Sequence, residues 1–167
     1  DRVYPQKADF TFYGGIYRDV NLIIVNKHHF DLDYWGGSGL KITPAVNGRE
    51  ARVRVETFHG AENARVKVRL LDAAGSPVAQ GEGTDCTLTI PGVHLWDGGK
   101  DPYLYTCEAV LEVNGADVDQ VSSKFGVRTF SADPKKGFFL NGRPYPLHGV
   151  SRHQDWKGIG NAITKEH

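Results

Sequence analysis

The sequence contains no methionine, only two cysteines and no surplus of charge: 20 lysines and arginines stand against 20 aspartates and glutamates in 167 residues. Each shortage closes off a class of function. Charge neutrality removes the basic stripe that nucleic acid or an anionic membrane surface would select, so neither is expected as a partner. Two thiols, Cys86 and Cys107, are too few to staple a disulfide scaffold or to build a cysteine zinc site. Both are expected to be free and to serve as small apolar residues. No apolar run reaches the ~18 residues of a membrane helix, and the longest, such as Leu22 to Val25, are strand-sized. No stretch before residue 155 has a 3.6-residue apolar period, so helix is expected to be nearly absent. The seven histidines form no HExxH string or i, i+4 pair, and no metal site is expected in this chain.

What the sequence does have is a period of two. Val53, Val55 and Thr57 alternate with Arg52, Arg54 and Glu56, and Val66, Val68 and Leu70 alternate with Arg65, Lys67 and Arg69. Each run reads as a strand with one dry and one wet face. Further strand candidates are Leu40 to Val46, Cys86 to Ile90, Leu104 to Val113 and Val118 to Arg128. Glycine, proline and asparagine punctuate them, as at Asn47-Gly48, Asp72 to Gly75 and Asn114-Gly115. The spacing predicts an all-β sandwich of about seven strands between about Leu32 and Phe130. Tyr105 lies two residues before Cys107, the offset of the tyrosine corner of immunoglobulin-like sandwiches, where the hydroxyl ties back to upstream backbone. Trp35 and Trp96 have the flat faces that stack on sugars, although Trp96, among Gly92, Asp97, Gly98 and Gly99, reads better as packing at a sandwich edge.

The ends read differently. One strand, Val20 to Val25, follows an aromatic loop around Gly14-Gly15. At the other end Phe138 to Leu140 and Pro144 to Val150 read as a hairpin across Asn141-Gly142, with Pro146 to Val150 as a strand. Asn161 is placed to cap a first helical turn reaching His167. Both ends are expected to be cut from neighbouring domains, because one strand cannot bury itself.

Four strings are specific: GGIYRDV at Gly14 to Val20, DPYLYTCEAVL at Asp101 to Leu111, FGVRTF at Phe125 to Phe130, and GFFLNGRPYPLHGVSRHQDW at Gly137 to Trp156. In that order and at those separations they resemble glycoside hydrolase family 2, the group of β-galactosidases, β-glucuronidases and β-mannosidases. The resemblance covers essentially the whole chain. It implies the end of a sugar-binding jelly roll over 1–27, an immunoglobulin-like β-sandwich over 28–131, and the start of a (β/α)8 barrel over 132–167. It also implies that the catalytic pair, a glutamate following asparagine and a second barrel glutamate, lies elsewhere, since none of the seven glutamates here follows an asparagine. No catalytic residue is therefore expected in this chain.

Two residues match substrate-binding positions of the family. His153, after Arg152, corresponds to a histidine that hydrogen-bonds sugar hydroxyls, but Gln154 replaces the glutamate of the common Arg-His-Glu string. Asp9, five residues before Gly14, matches an aspartate that contacts sugar or a bound cation. Together with GGIYRDV these point to the galactosidase branch. The parent is then expected to be a retaining enzyme acting on β-galactosides, with Mg or Na as its cation, its remaining domains as partners and a homo-oligomeric assembly. The chain itself is expected to hold no cofactor, and its unpaired thiols lean towards a bacterial cytoplasm. The rival reading is a free-standing immunoglobulin-like carbohydrate-binding or adhesion module, because the fold hosts many functions.

Overall fold

The structure, a computed structural model, describes residues 14–167. They divide between two compact units, one of Val25–Leu147 and a smaller one formed by 14–24 with His148–His167. The described residues contain strands and turns and no helix.

In the larger unit the alternation read from the sequence becomes two facing antiparallel sheets. Strands β1 (Leu40–Asn47), β2 (Glu50–Thr57) and β5 (Asp85–Pro91) form one in the order β1-β2-β5. Strands β3 (Ala64–Leu71), β4 (Pro77–Glu82), β6 (Tyr105–Val113) and β7 (Ala116–Phe125) form the other in the order β4-β3-β6-β7. The sandwich has seven strands, the number expected, of which β4 was not among the six segments read from the sequence. Val53 and Val55 of β2, Val66, Val68 and Leu70 of β3, Leu88 and Ile90 of β5, and Cys107, Ala109 and Leu111 of β6 form the dry layer between the sheets. Their neighbours in sequence point to water and pair across strands: Lys41 with Glu56, Arg65 with Glu82, Lys67 with Glu112 and Arg69 with Glu108.

The turns follow the sequence. Asn114 (φ 52°) and Gly115 (φ 82°) both take the left-handed region, as a two-residue hairpin joining β6 to β7 requires. At Asp72 the side-chain Oδ1 accepts from the backbone N–H of Ala74 at 2.9 Å and of Ser76 at 2.8 Å, folding the β3–β4 connection. Cys86 and Cys107 are free, on β5 and β6.

A third sheet, β10-β9-β8, is a ribbon of β8 (Phe130–Asp133), β9 (Gly137–Leu140) and β10 (Arg143–Pro144). It falls in the larger unit. The expected second arm, Pro144 to Val150, is shorter than predicted. Tyr145 N–H still donates to the Phe138 carbonyl at 2.9 Å, but Pro146 has no N–H to continue the ladder, and Leu147 and Val150 are exposed. Two other expectations are also corrected. Val20 to Val25 forms no strand and leaves Leu22 and Ile24 exposed, since an apolar alternation without a neighbouring strand among the described residues makes no ladder. Asn161 to His167 forms turns instead of a helix: the Ala162 N–H turns back to the Ile159 carbonyl and the Thr164 N–H donates to the His167 ring.

Leu111→Ala should cost about 2–5 kcal/mol by urea unfolding, whereas Arg52→Ala on the wet face of β2 should stay within about 0.5 kcal/mol. Thiol titration of the unfolded, unreduced chain should find both sulfhydryls. In the folded chain Cys107, buried and with its pKa pushed up to about 12 by loss of hydration, should resist the reagent.

Candidate functional site

At one end of the sandwich the start of β6 builds a polar corner. Tyr105 is buried among core residues, and its hydroxyl accepts from the backbone N–H of His94 at 2.8 Å, the upstream tie expected of a tyrosine corner. His94 stacks on Tyr103 with ring centroids 3.9 Å apart and places Nε2 2.7 Å from Asp101 Oδ2. Trp96 is packed, as the sequence suggested: Gly126 runs against it so closely that a Cβ there would come within 3.0 Å, and the Arg128 guanidinium lies 5.0 Å from its ring centroid. The ribbon is tied to this corner by Asn141, whose Nδ2 donates to the Trp96 carbonyl at 3.0 Å, and by Arg143, which pairs with Asp97. His94, Asp97, Asp101, Asn141 and Arg143 line a cleft of about 530 Å³. Its charged groups satisfy one another, so it reads as a structural corner. Trp35, by contrast, is 92% exposed.

The second cluster lies within the smaller unit. Tyr17, Arg18, Arg152, His153, Gln154, Asp155 and Asn161 line a cleft of about 400 Å³. Sequence reasoning singled out GGIYRDV and the Arg152-His153-Gln154 string separately, and the structure brings them together. Arg18 Nη2 donates to Gln154 Oε1 at 2.9 Å and Nη1 to the Ile163 carbonyl at 3.1 Å. The loop beyond is closed on itself, Trp156 and Gly160 exchanging backbone hydrogen bonds of 3.2 and 2.8 Å. Tyr17, Arg18 and Asn161 were not foreseen as site residues. The signal for Tyr17 and Arg18 was their place in the GGIYRDV string; Asn161 lies beyond both strings and had none as a site residue. Asp9 lies outside the described residues.

Among the described residues no three His, Cys, Asp or Glu side chains converge to hold a metal ion. Glu56, Glu82, Asp85, Asp97, Glu108 and Glu112 are paired with cations. A general acid for glycoside cleavage needs a carboxyl held above its ordinary pKa. Here the reverse holds for Asp85, Asp97 and Glu166, which are held low chiefly by hydrogen bonds from Arg54, Arg143 and Thr164 respectively. A depressed carboxylate stabilises the fold only while ionised, so stability should fall as pH drops below about 4, the ordinary aspartate value. Arg143→Gln should flatten that acid loss in thermal melts. Tyr105→Phe, which strands the His94 N–H, should cost about 1–3 kcal/mol at neutral pH.

Comparison with known proteins places this geometry. The model of the glycosyl hydrolases family 2 matches residues 38–128, more than half of the chain and the whole of the two-sheet sandwich. A β-glucuronidase of Bacteroides fragilis is 35% identical over 99% of this chain, which spans 26% of that protein. The β-galactosidase BoGH2A of Bacteroides ovatus is 34% identical over 90% of the chain, which spans 19% of it. Among solved structures, the FMN-binding β-glucuronidase from Facaelibacterium prausnitzii L2-6 superposes with a TM-score of 0.88 at 40% identity, over 98% of this chain and 26% of that one. The chain thus spans about a quarter of the length of these relatives, and it belongs to family 2 of the glycosyl hydrolases.

Proposed function

We propose that this chain is the sandwich-bearing segment of a retaining family 2 glycosidase that hydrolyses β-D-glucuronides, and that its work is positioning. The observation that carries the positioning role is the meeting, in one compact unit and around one cleft, of the segments that precede and follow the sandwich. The choice of glucuronide over the galactoside expected from the sequence rests on the relatives, of which the Bacteroides fragilis and Facaelibacterium prausnitzii proteins bear the name β-glucuronidase. A galactoside is the second reading, favoured by the likeness to BoGH2A.

Retaining hydrolysis needs two carboxyl groups about 5–5.5 Å apart, one protonating the leaving oxygen and one attacking the sugar carbon. In this reading the parent's remaining domains supply them. This chain supplies His153, whose imidazole hydrogen-bonds a sugar hydroxyl, and Asp9, which contacts a sugar or an Mg or Na ion. The parent's assembly as a homo-oligomer remains part of the proposal.

The isolated 167-residue chain should turn over no nitrophenyl glycoside and should show no saturable NMR shift of the His153 imidazole with millimolar glucuronate or galactose. Turnover above buffer in a host-glycosidase-free sample would overturn the positioning role, and saturable binding would favour the free-standing binding module. The full-length protein should have a higher kcat/KM on nitrophenyl β-D-glucuronide than on the galactoside, and the opposite order would favour the second reading. In that protein His153→Ala should lower kcat by ~10²-fold and by more than it raises KM, the pattern of a bond made chiefly in the transition state.

A further inference from the structure

Arg18 and Gln154 stand 136 positions apart in the sequence and are joined by a hydrogen bond. We propose that Arg18 is a positioning residue for His153: its guanidinium locks the loop that carries Arg152 and His153 and so sets where the imidazole stands. This rests on the reading of His153 as a sugar-contacting residue.

The argument is geometric. Arg18 uses two different nitrogens on two acceptors that lie on opposite sides of a closed loop. Gln154 Oε1 precedes the Trp156–Gly160 clasp and the Ile163 carbonyl follows it. A clasp held by its own backbone bonds is rigid within itself and still free to swing about the chain that enters and leaves it. A fork that grips both the entering and the leaving strand removes that swing. The guanidinium also stands 5.5 Å from the Tyr17 ring centroid, so its plane is supported before it meets either acceptor. His153 is bonded covalently to Gln154, and fixing the Gln154 side chain leaves the peptide between them little freedom. A lysine could not replace this fork, because one ammonium on a flexible stem does not hold two acceptors in a fixed plane. Gln154 gives the residue a specific role. Its amide oxygen accepts from Arg18 as a neutral group.

The test uses the full-length enzyme and nitrophenyl β-D-glucuronide. R18A should lower kcat about tenfold with KM changed less than threefold, and should raise amide hydrogen exchange across residues 152–163. Q154A should reproduce part of both effects, and R18K should fail to restore kcat. In an H153A background, R18A should change kcat by less than twofold, since the loop it orders no longer carries the group that matters. Independent, multiplicative losses for R18A and H153A would overturn the proposal, as would an R18A enzyme with normal kcat and normal exchange. If R18A does not fold, Q154A decides, and an unchanged kcat there overturns it. An unchanged kcat for H153A alone would sink the sugar-contact reading instead, leaving the grip itself to be judged by the exchange of 152–163.

Discussion

The constraint on which this molecule depends is that one face of each central strand must be dry while the other is charged. On β6 the residues Tyr105, Cys107, Ala109, Leu111 and Val113 are buried, and between them Glu108 and Glu112 reach Arg69 and Lys67 on β3. A one-residue slip would carry every side chain to the opposite face, driving Lys67 and Arg69 into the core. The exposed ion pairs contribute little free energy singly, but burial of an unpaired charge is costly enough to exclude the slipped register. With the register fixed, Leu70 faces Cys107 across the β3–β6 ladder, Val55 faces Cys86 across β2–β5, and the ends of the strands are fixed as well.

Those ends organise the rest of the larger unit. Because β6 begins at Tyr105, its hydroxyl reaches the backbone of His94, and the loop bearing Trp96 is drawn against Gly126 and Val127 beyond β7. That loop offers the Trp96 carbonyl and the Asp97 carboxylate to Asn141 and Arg143 of the ribbon. The path of the chain after the sandwich is therefore decided by where a strand inside it starts. Loss of the Tyr105 hydroxyl would reach beyond one hydrogen bond, since the same loop anchors both the sandwich edge and the ribbon.

The legible parts of the sequence were those whose partners are near in sequence or repeated in pattern. Alternation revealed the strands, paired residues with positive φ such as Asn114-Gly115 revealed the hairpins, and the offset of Tyr105 from Cys107 revealed the corner. Val20 to Val25 and Pro146 to Val150 carried the same apolar signal and form no ladder here, because a strand is a property of two segments and the pattern in one does not name the other. Asn161 carried a capping signal, but local bonds of Ala162 and Thr164 hold the segment in turns. The His94, Tyr103 and Asp101 group was missed because its residues meet only once the turn between them closes. Arg18 was missed for a stronger form of the same reason: its motif was visible and its acceptors were not. The branch of the family was the finest detail read, and strings shared by several activities support the family better than the substrate.

The contact between Arg18 and Gln154 also says what an intervening sandwich does. If the chain joining these two residues, 136 positions apart, were a flexible loop, closing it would cost about 4 kcal/mol in chain entropy beyond a constant. Hydrogen bonds contribute about 0.5–1.5 kcal/mol net each, so the two made by Arg18 would not close such a loop unaided. The closure is affordable because the intervening chain is already ordered by its own core, which removes the entropy before Arg18 meets its acceptors. A well-packed sandwich thus turns a long-range contact between two side chains into a local one. The same logic makes the loop at His153 sensitive to the stability of a domain that need not touch a sugar: whatever loosens the dry layer around Leu70 and Leu111 restores the entropy that Arg18 must then overcome.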